Sequence, residues 1–331
     1  MTFHALLLTK SAQKSEPAKV EIATLNQQDL PQANVLIKVD YSSLNYKDAL
    51  AITSRGPIAR ISPLVLGIDG VGQVVESEDN RYHVGDIVVL NGWGVGEQHW
   101  GCLSQYARLD SRWLIPKPMA LSAWDTMAIG TAGYTAALCV MKLIHAGVMP
   151  TQGPILVTGA SGGVGSFAIA LLSQLGYQVT AATGKMAQSD YLMQLGAQHV
   201  IDRSTLSAAG KSLQKEQWAG AIDAVGSFTL ANVCAQMQYQ GVVVACGLAQ
   251  GMDFPSTVAP FILRGVTLAG VDSVMASYQQ RIEAWRLLAK YLNHTHLTQI
   301  AKTISLSQVL DTAQQMIAGE ITGRFVVDVN Q

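Results

Sequence analysis

Charged side chains are scarce in this sequence of 331 residues. Asp, Glu, Lys and Arg make up 14% of the chain, against about a quarter in an average soluble domain, while hydrophobic residues make up 49%. This composition predicts extensive burial, including a subunit interface. The 22 basic and 23 acidic side chains give a net charge of -1. Without a basic excess to neutralise a phosphate backbone, the composition argues against a nucleic-acid partner.

Cysteine is also rare. The four cysteines, at positions 102, 139, 234 and 246, form no CxxC pair and no zinc-ligand spacing with a histidine. So few cysteines predict a reduced, intracellular chain rather than a disulfide framework. The first ten residues hold an apolar stretch that is too short for a signal peptide and has no basic residue before it. These features predict a cytoplasmic protein.

One long stretch, residues 143–184, contains no Asp, Glu, Lys or Arg. A membrane span needs about 20 predominantly apolar residues in a row. Pro150, Pro154 and repeated glycines interrupt this stretch, so we expect no membrane span here. We expect instead a strand and a helix buried in an α/β core, where parallel strands are covered on both faces.

Two kinds of pattern divide the chain. Residues 1–120 are mostly strands and loops, such as the alternating stretch 35–41 and the glycine- and tryptophan-rich loop 92–101. From residue 123, which follows a capping serine, short strands alternate with helices. This alternation predicts a parallel, doubly wound sheet. We therefore expect an α/β protein with a β-rich domain, 1–122 and 272–331, and a dinucleotide-binding domain, 123–271.

A glycine-rich turn is the strongest local motif. A predicted strand, 154–158, runs into Gly159-Ala-Ser-Gly-Gly-Val-Gly165, and a predicted helix follows at 166–175. Glycine permits a tight turn close to a pyrophosphate, and the N-terminus of the helix offers N–H groups to the phosphates. With a second strand predicted at 178–182, the motif has its required context. The residues expected to bind a dinucleotide are Ser161, Gly162, Gly163, Val164 and Gly165. A tight turn without a ligand is the alternative.

The end of the second strand discriminates between NADH and NADPH. A site for NAD carries an Asp or Glu there, which binds the ribose 2′-hydroxyl. This chain has Thr183, Gly184 and Lys185 instead, and Arg203 is an additional cation. A hydroxyl and two cations suit a 2′-phosphate, so we predict NADPH. A solvated loop charge is the alternative interpretation of Lys185.

Four motifs follow one another in a family-specific order over nearly the whole chain: residues 43–48, 66–72, 130–135 and 159–165. With them the chain resembles the medium-chain dehydrogenase/reductase superfamily. The stretches 45–53, 91–101, 218–223 and 260–274 resemble the quinone-oxidoreductase-like branch that contains the acrylyl-CoA reductases. The resemblance implies a GroES-like β-rich catalytic domain beside a Rossmann domain. It also implies NADPH-dependent reduction of the C=C bond of short α,β-unsaturated acyl-CoA thioesters, with hydride delivered to the β-carbon.

The resemblance also bears on zinc. In zinc-dependent relatives a cysteine opens the segment that here begins at Asn45, and a histidine stands where this chain has Ile68. Isoleucine cannot bind zinc, and the four-cysteine structural lobe of those relatives is missing, so the resemblance implies no metal. Without a Lewis acid to polarise a carbonyl, alcohol oxidation is disfavoured.

The same resemblance suggests catalytic roles. Tyr46 is expected to face the nicotinamide, where its hydroxyl donates a proton or holds the ribose; a packing aromatic is the alternative. Asn45 is expected either to donate a hydrogen bond to the thioester oxygen or to orient Tyr46. Asp48 is expected to fix the loop in which it lies. Arg55 and Arg60 are candidates for binding the phosphates of CoA. The alternative is that both are solvated loop residues.

Further cofactor contacts are expected from residues outside the glycine-rich turn, namely Thr131, Gly247, Leu248 and Arg324. For Arg324 a plain ion pair is an equal alternative, and His99 is expected to be structural rather than an acid. Relatives commonly dimerise through the edges of their Rossmann sheets, and the apolar stretch 265–269 is the candidate edge of a homodimer.

Two other functions stay open. An NADPH:quinone or enone oxidoreductase would share the fold and the cofactor. A non-catalytic NADPH-binding protein is a third possibility, against which the complete glycine-rich turn and the intact Asn45-Tyr46 segment speak.

Overall fold

A computed structural model describes residues 1–11 and 18–331. The described chain divides into two compact units. The first unit comprises Met1–Thr131, Val274–Ile282 and Asn293–Gln331, and the second comprises Ala132–Ser273 and Glu283–Leu292. The boundary near residue 131 lies later in the chain than the sequence-predicted boundary at 122/123. Hydrogen bonds that tie Thr131 to the first unit explain this difference, as shown below.

The N-terminal part of the chain is mostly strands, in agreement with the sequence prediction. In chain order its elements are β1 (Thr2–Thr9), β2 (Lys19–Asn26), β3 (Val35–Leu44), α1 (Tyr46–Ile52), β4 (Leu64–Val65), β5 (Asp69–Ser77), β6 (Ile87–Asn91), β7 (Tyr106–Leu109), β8 (Leu114–Pro116) and α2 (Ala123–His145). The alternation in β3 buries Val35, Ile37 and Val39 in the core of the first unit. The short helix α1 was not predicted.

The second unit contains the predicted alternation of strands and helices. Its elements are β9 (Ile155–Thr158), α3 (Gly163–Gln174), β10 (Val179–Thr183), α4 (Ser189–Gln194), β11 (His199–Asp202), β12 (Trp218–Asp223), α5 (Ser227–Ala235), β13 (Met237–Ala245), α6 (Ala259–Arg264) and β14 (Thr267–Gly270). Helix α7 (Tyr278–Tyr291) begins in the first unit, and its residues from Glu283 onward belong to the second. The strands form one parallel sheet in the order β11-β10-β9-β12-β13-β14. This sheet confirms the predicted doubly wound α/β fold.

The end of the chain returns to the first unit. Its elements are α8 (His294–Ile300), β15 (Ala301–Ser305), α9 (Val309–Ile317) and β16 (Arg324–Asp328). β16 pairs antiparallel with β3, so the last strand enters the sheet β15-β16-β3-β5-β6-β8. Phe325 lies opposite Leu44, and Asp69 lies opposite Asn91 on the next strand pair. The ends of β3 and β6 and the beginnings of β5 and β16 therefore meet at one end of this sheet.

Helix α2 is interrupted at Gly130. Its backbone has φ 48° and ψ -159° there, which is not helical. By length and composition alone α2 would suffice to cross a membrane, but 78% of its most apolar window is buried inside the fold. The charge-free stretch that follows forms β9 and α3, whose side chains are also largely buried.

Some predicted boundaries were wrong by a few residues. Helix α3 begins at Gly163 rather than residue 166, because Gly162 is its N-cap and the last glycines of the turn are already helical. The candidate edge strand is β14 (Thr267–Gly270) rather than 265–269, because Gly265 ends α6 in the left-handed conformation, with φ 60°.

Candidate functional site

A buried carboxylate organises the end of the sheet in the first unit. Asp69, the first residue of β5, is fully buried. Its Oδ1 accepts hydrogen bonds from Asn91 Nδ2 at 2.7 Å and from the hydroxyl of Thr131. Its Oδ2 accepts from Ser43 Oγ at 2.6 Å, Asn45 Nδ2 at 2.8 Å and the backbone N–H of Thr131 at 2.8 Å. One side chain thereby connects β3, β5, β6 and the interruption of α2.

Arg324 completes this network. Its Nη2 lies 3.6 Å from Asp69 Oδ2, and both side chains are buried. Its Nη1 donates to Asn45 Oδ1 at 2.6 Å, and its Nη2 donates to Ser43 Oγ at 2.8 Å. Burial lowers the pKa of the guanidinium, while the nearby charge of Asp69 opposes that effect. Of the two interpretations of Arg324, these contacts describe the ion pair.

Asn45 is committed at both ends of its amide. Its Nδ2 donates to Asp69 and, more weakly, to Ser43 Oγ at 3.3 Å, while its Oδ1 accepts from Arg324. A bond to a thioester oxygen needs an N–H donor, and both hydrogens of this amide already point to protein acceptors. The geometry therefore favours the second hypothesis for Asn45, in which it orients Tyr46.

Tyr46 is presented by a capped helix. It is the first residue of α1 and is 49% exposed. Asn45 is the N-cap, and its backbone N–H donates to Asp48 Oδ2 at 2.9 Å. Asp48 Oδ1 accepts from the backbone N–H of Ile68 at 3.1 Å. Asp48 thus fixes the start of the helix against the segment before β5, which is the role the sequence predicted.

Burial makes Asp48 an unusual acid. Removal from solvent raises its pKa to about 7, and the neighbouring charge of Asp69 acts in the same direction. Hydrogen bonds from Asn45 and Ile68 to the carboxylate act in the opposite direction. The carboxyl is enclosed, so we assign it no direct contact with a substrate.

Of the other predicted residues, His99, Arg55 and Arg60 lie in loops, and Lys47 of α1 contacts the loop that holds His99. Lys47 Nζ makes a half-buried ion pair with Glu97 Oε1 at 2.7 Å, which joins α1 to the glycine-rich loop. His99 stacks against Trp113, with ring centroids 4.6 Å apart, in keeping with a structural role. Arg55 and Arg60 are both exposed.

Arg55 lies at a surface groove of the first unit. The groove has a volume of about 600 Å³ and lies along the C-terminal end of α1 and one face of α9. Its lining combines polar and apolar groups and comprises Ala18, Val20, Ile52, Thr53, Arg55, Leu310, Gln314, Ile317 and Ala318. Arg60 does not line it.

The residues present do not fit zinc. The amide of Asn45 is fully engaged, and Ile68, which is buried, has no donor atom in its side chain. Within residues 1–11 and 18–331, no three side chains of His, Cys, Asp or Glu come together as a metal site would require. We derive no chemistry through a metal.

The glycine-rich turn of the second unit has the geometry of a phosphate cradle. A Cβ at Gly165 would lie 2.4 Å from the carbonyl oxygen of Gly159, so helix and strand approach closely only with glycine there. The hydroxyls of Ser161 and Thr183 are hydrogen-bonded at 3.1 Å, which links the turn to the end of β10. The exposed Gly162 caps α3, and the N-terminus of a helix in this position offers free N–H groups to a phosphate.

Two cations stand at the end of β10. A Cβ at Gly184 would lie 2.7 Å from Arg203 Nε, so the arginine side chain lies across this glycine. Burial lowers the pKa of Lys185, and the nearby charge of Arg203 lowers it further. Thr183 Oγ1 accepts from the backbone N–H of Lys185 at 3.0 Å. The structure thus brings together the hydroxyl and the two cations that the sequence suggested for a 2′-phosphate.

The loops after β12 and β13 border the same edge of the sheet. A Cβ at Gly247 would lie 2.5 Å from the carbonyl oxygen of Ala224, so these two loops touch backbone to backbone. Leu248, the next residue, is exposed. The carboxyl edge of a parallel sheet is where ligands of this fold bind. Both predicted residues therefore lie at an edge suited to a cofactor.

Family profiles match both units. Residues 31–119 match the alcohol dehydrogenase GroES-like domain, and residues 163–290 match the zinc-binding dehydrogenase family. The chain is 51% identical to a probable acrylyl-CoA reductase, AcuI, of Escherichia coli over 98% of this chain and 99% of that protein. It is 46% identical to the acrylyl-CoA reductase AcuI of Ruegeria pomeroyi over 99% of both.

The chain belongs to the medium-chain dehydrogenase/reductase superfamily. Within it, the chain falls in the quinone-oxidoreductase-like branch, as the motifs predicted. A putative quinone oxidoreductase of Bacillus subtilis, YhfP, is 42% identical over 98% of both chains.

Solved structures agree with this placement. The Salmonella enterica oxidoreductase yhdH in complex with NADP has a TM-score of 0.95 at 48% identity and covers 99% of both chains. The Bacillus subtilis protein yhfP with NAD bound has a TM-score of 0.94 at 41% identity, again over 99% of both chains.

Sequence reasoning missed most of the network around Asp69. Residues 66–72 and 130–135 were recognised as family motifs, but no role followed from them for Asp69 or Gly130. A usable signal was present, because an Asp beside a buried strand in a charge-poor chain needs partners. The cations at 185 and 203 were found because their positions relative to the second strand are local in sequence.

We predict that Gly130→Ala destabilises the protein by about 3–5 kcal/mol, the cost of disrupting a buried ion pair. A Cβ there would lie 2.2 Å from Arg324 Nη2 and 2.7 Å from Asp69 Oδ2. Gly147→Ala is the matched control, because Gly147 also has a positive φ, of 83°, but has no other atom within 4 Å of the added carbon. It should cost about 1–2 kcal/mol, the left-handed strain alone. Urea denaturation compares the two variants, and equal losses would contradict the prediction.

Proposed function

We propose that the protein is an NADPH-dependent reductase of short α,β-unsaturated acyl-CoA thioesters, with acrylyl-CoA as the leading substrate and propionyl-CoA as the product. The observation that carries the proposal is the similarity to acrylyl-CoA reductases along the full length of the chain. The cradle at residues 161–165 and the cations at 185 and 203 support NADPH as the cofactor, since they suit a pyrophosphate and a 2′-phosphate.

NADPH supplies a hydride, which forms the new C–H bond at the β-carbon, and a proton completes the reaction at the α-carbon. The residues of this chain have to bind and orient the cofactor and the substrate and to supply the proton. We propose that three groups of residues bind the cofactor. They are residues 161–165 in the glycine-rich turn, Thr183, Gly184, Lys185 and Arg203 at the end of β10, and Gly247 and Leu248 after β13. Thr131, Tyr46 and Arg324 stay predictions as cofactor contacts, because the named contacts of Thr131 and Arg324 are with protein groups.

Tyr46 is the proposed proton donor or ribose ligand, and Asn45 is its positioning residue. The exposed hydroxyl of Tyr46 can reach a ligand, and the rigid cap formed by Asn45 and Asp48 fixes where the side chain starts. Arg55 and Arg60 remain the proposed contacts for the CoA phosphates. The groove beside Arg55 supports that role for Arg55 more than for Arg60.

The decisive experiment is steady-state NADPH oxidation with acrylyl-CoA, acrylyl-pantetheine and a panel of quinones. We expect the highest kcat/KM with acrylyl-CoA and a raised KM with the pantetheine thioester, which lacks the nucleotide. A quinone or enone reductase is the second candidate, favoured by the similarity to YhfP. Preference for quinones over both thioesters would establish that alternative and refute the proposal. Tight NADPH binding without turnover of any acceptor would instead indicate a non-catalytic protein.

We also propose a cytoplasmic homodimer without nucleic-acid or membrane partners. The net charge of -1 and the four free thiols support the location and the absence of those partners. Three of the four thiols are buried, so thiol labelling after acid quenching of intact cells and denaturation of the protein would test the location, and disulfide-bonded cysteines would contradict it.

For the dimer we predict an isologous pairing of β14 strands. β14 is the last strand of its sheet and is paired with β13 alone in the described sheet. Val258, Ile262 and Leu263, on and next to α6, are exposed apolar side chains close to it in sequence. Light scattering should give twice the mass of the 35.3 kDa chain. Leu268→Pro, which removes a donor from the edge strand, should yield monomers. A monomeric native protein at micromolar concentration would refute this.

We predict that Lys185→Ala weakens NADPH binding ten- to a hundredfold, because a hydrogen bond to a charged group contributes about 1.5–3 kcal/mol. NADH lacks the 2′-phosphate, so its affinity should hardly change. Lys142→Ala is the control: this exposed lysine lies in the last turn of α2, which leads into the amino end of β9, away from the carboxyl edge. Fluorescence titration measures both cofactors. Equal losses for NADPH and NADH would show that Lys185 does not recognise the phosphate.

We predict that Tyr46→Phe lowers turnover of acrylyl-CoA and leaves most of the NADPH affinity intact. General acid catalysis contributes about 10²–10⁴-fold, so a loss of that order indicates proton donation, whereas a loss of a few-fold indicates positioning. Proton donation in the slow step also predicts a solvent deuterium isotope effect that changes in the variant. Tyr239→Phe, at an exposed tyrosine of the second unit, is the control. Native turnover by Tyr46→Phe would make Tyr46 a packing residue.

A further inference from the structure

Trp93 carries a buried polar group without a partner. Its indole Nε1 is enclosed, and no acceptor among residues 1–11 and 18–331 lies within hydrogen-bonding distance. Buried donors in native proteins are nearly always hydrogen-bonded, and an exception calls for an explanation in the function of the site. The residue as a whole is partly buried and packs against the core of the first unit.

The backbone of Trp93 is also unusual. Its φ is 59°, a left-handed conformation that bulky side chains rarely adopt. Its neighbours Gly92 and Gly94 have positive φ as well, so this turn directly after β6 forces the tryptophan into place. Strained residues persist only where the surrounding structure imposes them, and they concentrate at functional sites.

A buried arginine fixes the orientation of the ring. The guanidinium of Arg281 lies over the indole, 4.4 Å from the ring centroid. Arg281 is itself held by the carbonyl oxygens of Asn91 at 2.6 Å, Val274 at 2.7 Å and Ala276 at 3.1 Å. The backbone N–H of Trp93 donates to the same carbonyl of Val274 at 3.0 Å. One cation–π contact to the indole and four hydrogen bonds of Arg281 and the Trp93 backbone therefore hold this arrangement, and none of them involves a substrate.

Trp93 lies at the organised end of the sheet. It follows Asn91, which pairs with Asp69 across β5 and β6 and also donates to its carboxylate. In the described network the donors of Ser43, Asn45, Asn91, Thr131 and Arg324 all point to protein acceptors. Two donors at this end have no such acceptor in the described structure: the hydroxyl of Tyr46 and the indole N–H of Trp93.

We propose that the indole N–H of Trp93 binds the carbonyl oxygen of the unsaturated thioester. This inference rests on the proposed function. Addition of hydride to the β-carbon moves negative charge onto that oxygen, and a fixed donor shielded from water stabilises such charge best. The N–H is enclosed, so access of the carbonyl oxygen requires the side chains around it to move, while Arg281 keeps the ring itself in place. With Trp93 at the oxygen, Tyr46 is left to serve the α-carbon or the ribose.

The test is Trp93→Phe, which keeps a ring under Arg281 and removes only the indole N–H and its fused ring. We expect kcat with acrylyl-CoA to fall about 10²–10³-fold, the usual loss for one donor to a developing oxyanion. The affinity for NADPH should stay native. Removal of the unsatisfied donor raises stability and loss of the fused ring lowers it, so Tm serves only to show that the variant is folded.

Trp100→Phe is the matched control in the same loop. The indole N–H of Trp100 donates to the carbonyl oxygen of Pro63 at 3.0 Å, so this variant leaves an acceptor unpaired. It should lower Tm and leave kcat native. A purely structural role for Trp93 predicts native kcat in Trp93→Phe, whatever happens to Tm, and that result would overturn the proposal.

A binding experiment that needs no turnover separates this inference from the proposed function. Propionyl-CoA with NADP⁺ is added to protein labelled with ¹⁵N-tryptophan, and the indole signal missing from Trp93→Phe identifies Trp93. We expect a downfield shift of that proton at saturation. If acrylyl-CoA is reduced and propionyl-CoA binds but this signal does not move, the assignment of Trp93 is wrong and the proposed function stands. If the protein neither reduces acrylyl-CoA nor binds propionyl-CoA, both are wrong.

Discussion

The carboxylate of Asp69 is the interaction on which the first unit's site depends. It accepts five hydrogen bonds and lies beside the guanidinium of Arg324, all without contact with solvent. Burying such a pair gains little stability, because desolvation offsets the attraction, but removing one partner is costly. The network therefore acts mainly as a geometric constraint. Any arrangement of the four strand ends that separated these groups would leave a charge buried and unpaired.

The constraint reaches the chain beyond the sheet. Helix α2 is interrupted at Gly130, where the side chain of any other residue would collide with Arg324. The N–H of the next residue, Thr131, donates to Asp69. The residues up to 131 consequently group with the first unit. Asp48 is the second buried carboxyl of the region, and it has two backbone donors but no cation. Burial, together with the nearby charge of Asp69, raises the pKa of Asp48 to about 7.

The sequence allowed much of the second unit to be predicted, because its signals are local. A turn of glycines between a strand and a helix, and a lysine just past the next strand, lie within about thirty residues of each other, as in the dinucleotide-binding unit generally. The network around Asp69 combines five segments that are far apart in the chain. Only the fold brings Arg324 to Asn45, 279 positions away, so the commitment of the Asn45 amide could not be predicted. The strain at Trp93 was hidden for a similar reason, since a loop composition does not specify φ.

The positions that hold metal ligands in zinc-dependent relatives carry other kinds of side chain in this protein. Asn45 is absorbed into the Asp69 network, and Ile68 contributes an apolar side chain, while the charge of Arg324 is balanced by Asp69. The polar groups of the cluster are thus paired with one another, and the positive charge of Arg324 is balanced within it. Dipoles stabilise a developing charge well only when they are already oriented, because reorienting them during the reaction costs free energy. An internally satisfied network at the same end of the sheet would hold the two proposed donors, Tyr46 and Trp93, in a fixed orientation, and this is the use that the proposed function gives to so many buried polar groups.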